Sequence, residues 1–407
     1  MDSTHLSGIL SGMRVVEGTA FVAAPLAGMT LAQLGADVIK FEPIQGGIDI
    51  QRWPVTASGK SLFWAGMNKG KRSIAIDLAR PEGQEVATAL ICAPGDESGL
   101  FVTNFPPRGW LAYDKLRARR DDLVYVNLVG DRHGGSEVDY TVNPRVGIPA
   151  ITGPSDDPTP VNHILPAWDH ITGQMLAVAM LAAERHRRST GRGQYVRVAL
   201  LDVALATLGH MGMLAEIEVN DQDRARHGNV LFGAFGKDFL TMDGRRLIII
   251  ALTLRQWTNL VRATGLKDAL ASVEAAAGLD FSREGDRFRA RDEIAKVVGA
   301  WIASQSLAVV ASAFDRNDVC WGPYQTMREL LQNDAEASTE NPLFTRQFQP
   351  DVGTYRMPGS PMYFSDAAHL DAVPAPRLGQ HTDEILSTVL GLSAAEIGTL
   401  HDRKVVA

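Results

Sequence analysis

The chain has 407 residues, of which 45% are hydrophobic and 21% charged, and its formal net charge is -7 at pH 7. This length suits two domains, and the negative charge argues against a nucleic-acid-binding protein, which normally presents a basic face. The only cysteines are Cys92 and Cys320, a count and spacing that predict neither a disulfide framework nor a metal site. With no signal-peptide pattern and no apolar run of about eighteen residues, we expect a cytoplasmic protein with no membrane partner.

The first 130 residues alternate short apolar runs with patterns of helical period. The predicted strands are Met13–Val16, Ala36–Phe41, Ser73–Asp77, Gly99–Asn104 and Leu123–Val129, and the predicted helices are Ala24–Leu34 and Pro81–Leu90. This alternation predicts an α/β fold with a parallel, doubly wound sheet between helices.

The middle of the chain is less regular. Glycine and proline punctuate residues 134–166, where we expect a long irregular segment, and a long helix over Ile171–Arg188 follows. Residues 238–250 have the pattern of a hairpin around Asp243 and Gly244, and helical patterns follow it. This second region predicts a smaller α+β domain.

Three segments are candidates for binding an anionic ligand at the carboxyl edge of the sheet. The small residues at 18–25 join a strand to a helix, whose first N–H groups suit a phosphate, although tight packing would also explain them. The sequence NKGKRS at 68–73 brings cations to the mouth of a strand, or forms a solvated face. The third segment, at 104–108, follows another strand.

Asp169 is the fourth candidate. It lies in the sequence PAWDHITGQ, just before the long helix that ends near TGRGQ at 190–194. Taken alone, an aspartate there is best explained as a helix N-cap. The motifs of dinucleotide-binding folds, P-loops, zinc proteases and serine hydrolases do not occur in the sequence.

These motifs together resemble family III CoA transferases. The resemblance rests on GMRVVE followed by AGMTLAQLGADVIKFE, on KRSI, on Asn104 with Phe105, on Asp169 with TGRGQ, and on PAPRLGQHTDEIL at 374–386. It runs through nearly the whole chain. Stretches such as RWPVT and GGSEVDYTVNP are similar to a branch of the family that transfers CoA within one C5 dicarboxylic acid.

The resemblance implies a Rossmann-like large domain built from both chain ends, a small central domain and an interlocked homodimer. We accordingly predict a large domain over 1–205, a linker over 206–227, a small domain over 228–325 and a return to the large domain over 326–407.

The resemblance also implies the site. Asp169 would be the catalytic nucleophile that carries the acyl group or CoA covalently. The substrate would be a dicarboxylic acyl-CoA, and neither a metal nor a separate cofactor would be needed. The expected CoA contacts are Val22, Ala23, Asn68, Lys69, Lys71, Arg72, Asn104, Phe105, Arg108 and Arg132.

Several functions stay open at this point. Transfer between two different acids is one alternative, and the family's transferases for oxalate use a glycine run as a lid, which residues 228–238 lack; Phe232–Lys237 would be the lid here. A 2-methylacyl-CoA racemase is another alternative. It needs a base on each face of the α-carbon, and the loop at 139–144 contains no histidine, so His163 and His170 are interpreted as surface or helix-start residues. A non-catalytic acyl-CoA-binding protein is the third, although it would not need Asp169.

Overall fold

The computed structural model describes residues 8–407, which form two compact units. The large unit contains residues 8–146, 163–220 and 335–407, and the small unit contains residues 147–162 and 221–334. The large unit is therefore built from both ends of the chain, as the resemblance implied.

The large unit contains a six-stranded parallel sheet, which confirms the predicted fold class. Its strands are β1 (Arg14–Gly18), β2 (Asp37–Glu42), β3 (Arg72–Ala75), β4 (Leu100–Thr103), β5 (Val124–Val129) and β6 (Gln194–Ala199), in the order β3-β2-β1-β4-β5-β6. The apolar residues of β1 to β4 are buried on both faces, which is why these strands read as hydrophobic runs, whereas only Ala199 of the edge strand β6 is buried. The strand order reverses between β1 and β4, and ligands of open α/β sheets bind at such a point.

Helices cover both faces of this sheet. In the large unit they are α1 (Ala23–Gln33), α2 (Leu62–Met67), α3 (Pro81–Ile91), α4 (Tyr113–Arg117), α5 (Asp139–Arg145), α7 (Ala167–Thr190), α8 (Leu200–His210), α9 (Met213–Asn220), α16 (Thr382–Thr388) and α17 (Ala394–Asp402). One core lies under α1 and α7, and the other lies under α3, α16 and α17.

Helix α7 approaches the start of α1 very closely at Gly173. A Cβ atom at this position would lie 2.8 Å from the carbonyl oxygen of Ala23. Because only glycine permits this approach, the second turn of α7 lies against the first turn of α1, and Asp169 is one turn before the contact.

The C-terminal part of the large unit adds a hairpin of β10 (Phe344–Gln349) and β11 (Gly353–Pro358) and then packs against β3. Ser73 Oγ accepts a hydrogen bond from the Gly379 N–H at 3.0 Å, and Val406 forms a bridge with Ile76. These contacts, between residues more than 300 apart in sequence, cover the edge of the sheet.

The small unit contains an antiparallel sheet of β7 (Phe235–Leu240), β8 (Arg246–Ala251) and β9 (Cys320–Pro323). Its helices are α6 (Ile148–Ile151), α10 (Leu254–Thr264), α11 (Lys267–Ala277), α12 (Glu284–Arg289), α13 (Arg291–Ala303), α14 (Leu307–Arg316) and α15 (Met327–Asn333). A core around Trp257, Ile294 and Phe314 makes it a unit in its own right.

Two local expectations differ from the structure. The segment 134–166, expected to be irregular, contains the short helices α5 and α6. Much of the predicted linker 206–227 is helical, because residues up to Asn220 continue α8 and form α9 within the large unit. Among residues 8–407 no single helix is long and apolar enough to cross a membrane, although two bent helix pairs, over 200–220 and 291–316, pass on length and composition.

Candidate active site

A cavity of about 500 Å³ opens in the large unit where the strand order reverses. Its walls come from the segments that follow β1, β4 and β5, and from the start of α7. The lining residues are Ala20–Ala23, Arg52, Asn104–Pro107, Leu128–Gly130, Gly134–Tyr140, Pro166, Asp169 and Leu200.

Side chains of neighbouring segments fix the turn after β1 through hydrogen bonds. Asn104 clamps it by accepting a hydrogen bond from the Ala20 N–H at 3.1 Å and donating one to the Ala20 carbonyl at 2.9 Å. Phe21 has a φ of 71°, a strained conformation for a residue with a Cβ, and its N–H donates to Asp49 Oδ2 at 3.0 Å. The turn is therefore fixed before α1 begins.

Asp169 enters the cavity from the first turn of α7. It is the third residue of the helix, and Pro166 is the N-cap, so the N-cap interpretation of Asp169 is wrong. Its backbone N–H instead donates to Oδ2 of the buried Asp139 at 3.1 Å, which satisfies the group that a capping side chain would have bonded. Within residues 8–407 the Asp169 carboxylate forms no hydrogen bond or ion pair with the protein.

Asp139 places a second carboxyl group next to Asp169. Oδ1 of Asp139 is 2.6 Å from Nε2 of His163, which packs between the rings of Tyr140 and Trp168. Burial raises the pKa of Asp169 to about 7; the neighbouring Asp139 carboxylate contributes to the rise, and Arg52 opposes it. An unpaired, partly buried carboxylate of this kind is a candidate nucleophile.

The match to a family model completes this interpretation. The model of CoA-transferase family III matches residues 10–382, most of the chain. The chain belongs to this family.

The chain is also similar over nearly its full length to several enzymes. The chain is 60% identical over 403 residues to the 2-methylfumaryl-CoA isomerase of Chloroflexus aurantiacus, covering 99% of this chain and 98% of that protein. It is 27% identical over 417 residues to the succinyl-CoA–D-citramalate CoA-transferase of the same organism, covering 98% of each. It is 26% identical over 428 residues to a formyl-CoA:oxalate CoA-transferase of Rhodopseudomonas palustris, covering 97% of this chain and 96% of that protein.

Solved structures share the fold. A CaiB/BaiF family protein from Brucella suis has a TM-score of 0.75 at 24% identity, covering 94% of this chain and all of that chain. A protein from Mycobacterium tuberculosis has a TM-score of 0.74 at 24% identity, covering 93% and 98%.

Within this family III fold, five predicted site residues lie together around the cavity. They are Val22, Ala23, Asn104, Phe105 and Asp169. Arg108 and Arg132 are exposed and flank lining segments; Arg132 Nε lies 3.1 Å from His133 Nε2. Their contacts with CoA stay a prediction.

The residues of the predicted phosphate cluster, Asn68 to Arg72, have protein partners in the structure. Lys71 is buried, 2.8 Å from Glu17 Oε1, and Lys69 is buried with its ammonium donating to the Pro358 carbonyl at 2.7 Å. Asn68 is buried and accepts a hydrogen bond from Lys71. Arg72 pairs with Asp37 at 2.6 Å and with Glu384 at 3.1 Å. These polar groups have protein partners in the structure, with which CoA phosphates would compete, and their contacts with CoA stay a prediction.

The expected lid, Phe232–Lys237, belongs to the small unit. Phe235–Lys237 belong to β7, and Phe235 is completely buried in the core of the small unit. Phe232 contacts the rings of His227 and Phe288 and the guanidinium of Arg224. The role of Phe232–Lys237 as a lid stays a prediction.

Sequence reasoning assigned no role to Arg52 or Asp139. Arg52 lies in RWPVT and Asp139 in GGSEVDYTVNP, two of the stretches that carried the closer resemblance, which was the available signal. His163 lies before α7, is partly exposed and bonds to Asp139, while His170 lies in the first turn of α7, as the helix-start interpretation expects. Among the described residues that line the cavity there is no histidine, so His163 does not supply the second base that a racemase needs.

Proposed function

We propose that this protein is an intramolecular CoA transferase that converts 2-methylfumaryl-CoA into 3-methylfumaryl-CoA, that is, mesaconyl-C1-CoA into mesaconyl-C4-CoA. The observation that carries the proposal is the unpaired Asp169 carboxylate in the cavity, on a chain 60% identical to an enzyme named for this isomerisation. The substrate includes coenzyme A, so no separate cofactor is invoked.

The first half of the reaction moves CoA onto the protein. An Asp169 oxygen attacks the C1 thioester carbonyl, and CoA leaves as a thiolate, which gives an anhydride between Asp169 and the diacid. The thiolate then attacks the Asp169 carbonyl carbon and expels the C1 carboxylate. The products are an aspartyl-CoA thioester and a bound mesaconate.

The second half returns CoA to the other end of the diacid. The C4 carboxylate attacks the Asp169 thioester carbonyl and expels the thiolate, which forms a second anhydride. The thiolate attacks the C4 carbonyl of that anhydride and releases the Asp169 carboxylate. Holding the diacid in place makes both attacks effectively intramolecular.

Backbone N–H groups at the start of α1 are our candidates for stabilising the oxyanions and binding CoA. The first N–H groups of a helix have no acceptor within it, and those of Val22 and Ala23 belong to the cavity wall. The close approach at Gly173 is one helical turn from Asp169, which places Asp169 near this end of α1.

We further propose that the protein works as a homodimer, interlocked as in the resemblance. An apolar surface remains exposed on α7, α8 and α9 and the turn between the last two, where Met211 is 69% and Val219 of α9 80% exposed. Large exposed apolar surfaces mark interaction sites. Light scattering coupled to size-exclusion chromatography should give twice the mass of one chain; a monomer at micromolar concentration would reject this proposal.

Product identity tests the main proposal. The protein is incubated with mesaconyl-C1-CoA, and the positional isomers are separated by chromatography, with isotopically labelled free mesaconate present. We expect conversion to the C4 thioester with little or no label in the product. Rapid entry of label, or succinate acting as acceptor at a similar rate, would instead make this a transferase between two acids.

A further inference from the structure

Arg52 lines the active-site cavity but takes no part in the covalent steps of the proposed reaction. Among the described residues that line the cavity, it is the only Lys or Arg. Within residues 8–407 its guanidinium forms no ion pair and no side-chain hydrogen bond with the protein. The acidic Glu137 of the same wall is already paired with Arg145, which leaves Arg52 available for a ligand.

The backbone around Arg52 is anchored to the same residue as the turn after β1. The carbonyl oxygen of Asp49 accepts the Arg52 N–H at 3.0 Å, while Asp49 Oδ2 accepts the Phe21 N–H at 3.0 Å. Ser61 Oγ donates to the Arg52 carbonyl at 2.5 Å and caps α2 through the Trp64 N–H. Asp49 thus links two walls of the cavity, and Arg52 starts from a fixed position.

Two aromatic rings hold the guanidinium. Its carbon lies 5.4 Å from the ring centre of Phe21 and 5.0 Å from that of Phe63, both within the range of cation–π contacts. Such contacts use the cation's charge but none of its N–H donors. The five donors of the guanidinium are therefore free for the bidentate recognition of a carboxylate.

Arg52 and Asp169 act on one another electrostatically. The charge of Arg52 lowers the pKa of Asp169 against the larger effect of burial, yet the two groups form no ion pair. A carboxylate placed at Arg52 would thus share the cavity with the nucleophile without displacing it.

We propose that Arg52 binds the free carboxylate of a dicarboxylic acyl group while Asp169 attacks the thioester at its other end. This proposal rests on the proposed function and specifies its substrate class. After the diacid turns round in the cavity, the same guanidinium would bind the C1 carboxylate that was freed from CoA. One cation would then serve both halves of the reaction and select diacids over monoacids.

The test compares two thioesters in the first half-reaction. Mesaconyl-C1-CoA and butyryl-CoA are each given to the wild type, Arg52→Gln, Arg52→Lys and the control Arg119→Gln, whose exposed guanidinium pairs with Glu85. Hydroxylamine traps the activated Asp169 as a hydroxamate, which peptide mass spectrometry quantifies. We expect R52Q to lose roughly 10- to 100-fold in labelling efficiency with mesaconyl-C1-CoA, as for a charged hydrogen-bonded contact, and less than about threefold with butyryl-CoA.

The other variants separate specificity from damage. R52K should be intermediate, since it keeps the charge but not the planar fork, and R119Q should match the wild type. An equal loss with both thioesters, or no loss with the diacid, would overturn the role of Arg52. If R52Q does not fold, R52K carries the comparison.

Failure of the proposed function is recognised separately. A wild type that labels Asp169 without producing the C4 isomer would overturn the isomerase proposal, while the comparison of the two thioesters would still judge Arg52. If the wild type shows no labelling, calorimetric affinities of both thioesters for Asp169→Asn, with and without R52Q, decide the role of Arg52: a selective loss for the diacid supports it, and an equal loss or none overturns it.

Discussion

Two carboxylates of the large unit, Glu17 and Asp169, have neighbours of opposite charge: cations beside Glu17 and a carboxylate beside Asp169. Glu17 is fully buried at the end of β1, 2.8 Å from the Lys71 ammonium and 3.2 Å from that of Lys40, and Thr19 donates to it at 2.6 Å. Burial disfavours the ionised form, but the two cations outweigh it and hold the pKa of Glu17 below its ordinary value.

Asp169 lacks such partners. Its carboxylate is less buried than that of Glu17, yet burial and the neighbouring Asp139 raise its pKa to about 7, because no cation is paired with it. Burial alone therefore does not make a carboxylate reactive. Two close ammonium groups make Glu17 a stable ion of the core. Asp169 has no such groups beside it among residues 8–407, so its charge is poorly stabilised and can attack an acyl group.

Removing the reactive carboxylate should have the largest effect. Asp169→Ala should lower turnover by at least about 10³-fold, because the covalent steps lose their nucleophile, while acyl-CoA binding persists through the rest of the cavity. Steady-state rates and calorimetric binding of mesaconyl-C1-CoA check this. A variant that retains more than a few per cent of the wild-type rate would remove Asp169 from the nucleophile role.

Removing the stable carboxylate should instead damage the fold. Glu17→Gln leaves Lys40 and Lys71 buried without their counter-ion, and we expect the free energy of unfolding to fall by roughly 3–5 kcal/mol. Urea denaturation measures this loss. The exposed Glu85→Gln, which also breaks an ion pair, is the control and should cost less than about 1 kcal/mol. A similar small loss for Glu17 would contradict the comparison.

The neighbour of Asp169 can be changed without touching Asp169. Attack requires the carboxylate, so kcat/KM should rise with pH and level off above about 7. Asp139→Asn removes a negative charge, so the rise of kcat/KM should move to lower pH by on the order of one unit. It should not reach the ordinary aspartate range, because burial is the larger cause. An unchanged pH profile of kcat/KM would show that Asp139 only positions the helix.

The smallest effect is expected at the surface pair of Arg72. Arg72→Gln loses partly exposed ion pairs with Asp37 and Glu384, which are worth about 0–1 kcal/mol. Because the cation already has these partners, the KM for mesaconyl-C1-CoA should change by less than about twofold. A tenfold rise in KM would return Arg72 to the phosphate site that its sequence suggested.

The elements that depend on local patterns were predictable. The strands β1 to β5 appear as apolar runs, and Asp169 is marked by the helix behind it and by the family motifs. The partners of charged residues were not predictable, because they come from distant segments. Lys71 meets Glu17 from 54 residues away, and His163 meets Asp139 from 24 residues away.

The cluster at 68–73 shows this limit clearly. Cations at the end of a parallel strand suit a phosphate by position, and the sequence does not reveal that a carboxylate on β1 faces the same space. Gly28 is the one local trace of this arrangement: a Cβ there would lie 1.7 Å from Glu17 Oε2, so the small residue makes room for the buried ion. Its meaning is visible only after the strands are placed side by side.

The C-terminal segment that covers β3 is synthesised long after β3 itself. Ala407 N–H donates to the Ala75 carbonyl at 3.1 Å, and its own carbonyl accepts from Thr382 Oγ1 at 2.6 Å. At about 5–20 residues per second, the ribosome needs roughly a quarter of a minute to a minute to make the segment that separates these partners. Until then β3 presents an uncovered edge, the kind of surface on which nascent chains associate wrongly. All six strands are made by Ala199, but the edge at β3 is covered only after synthesis has passed the small unit, so chaperone dependence should fall most strongly on this edge.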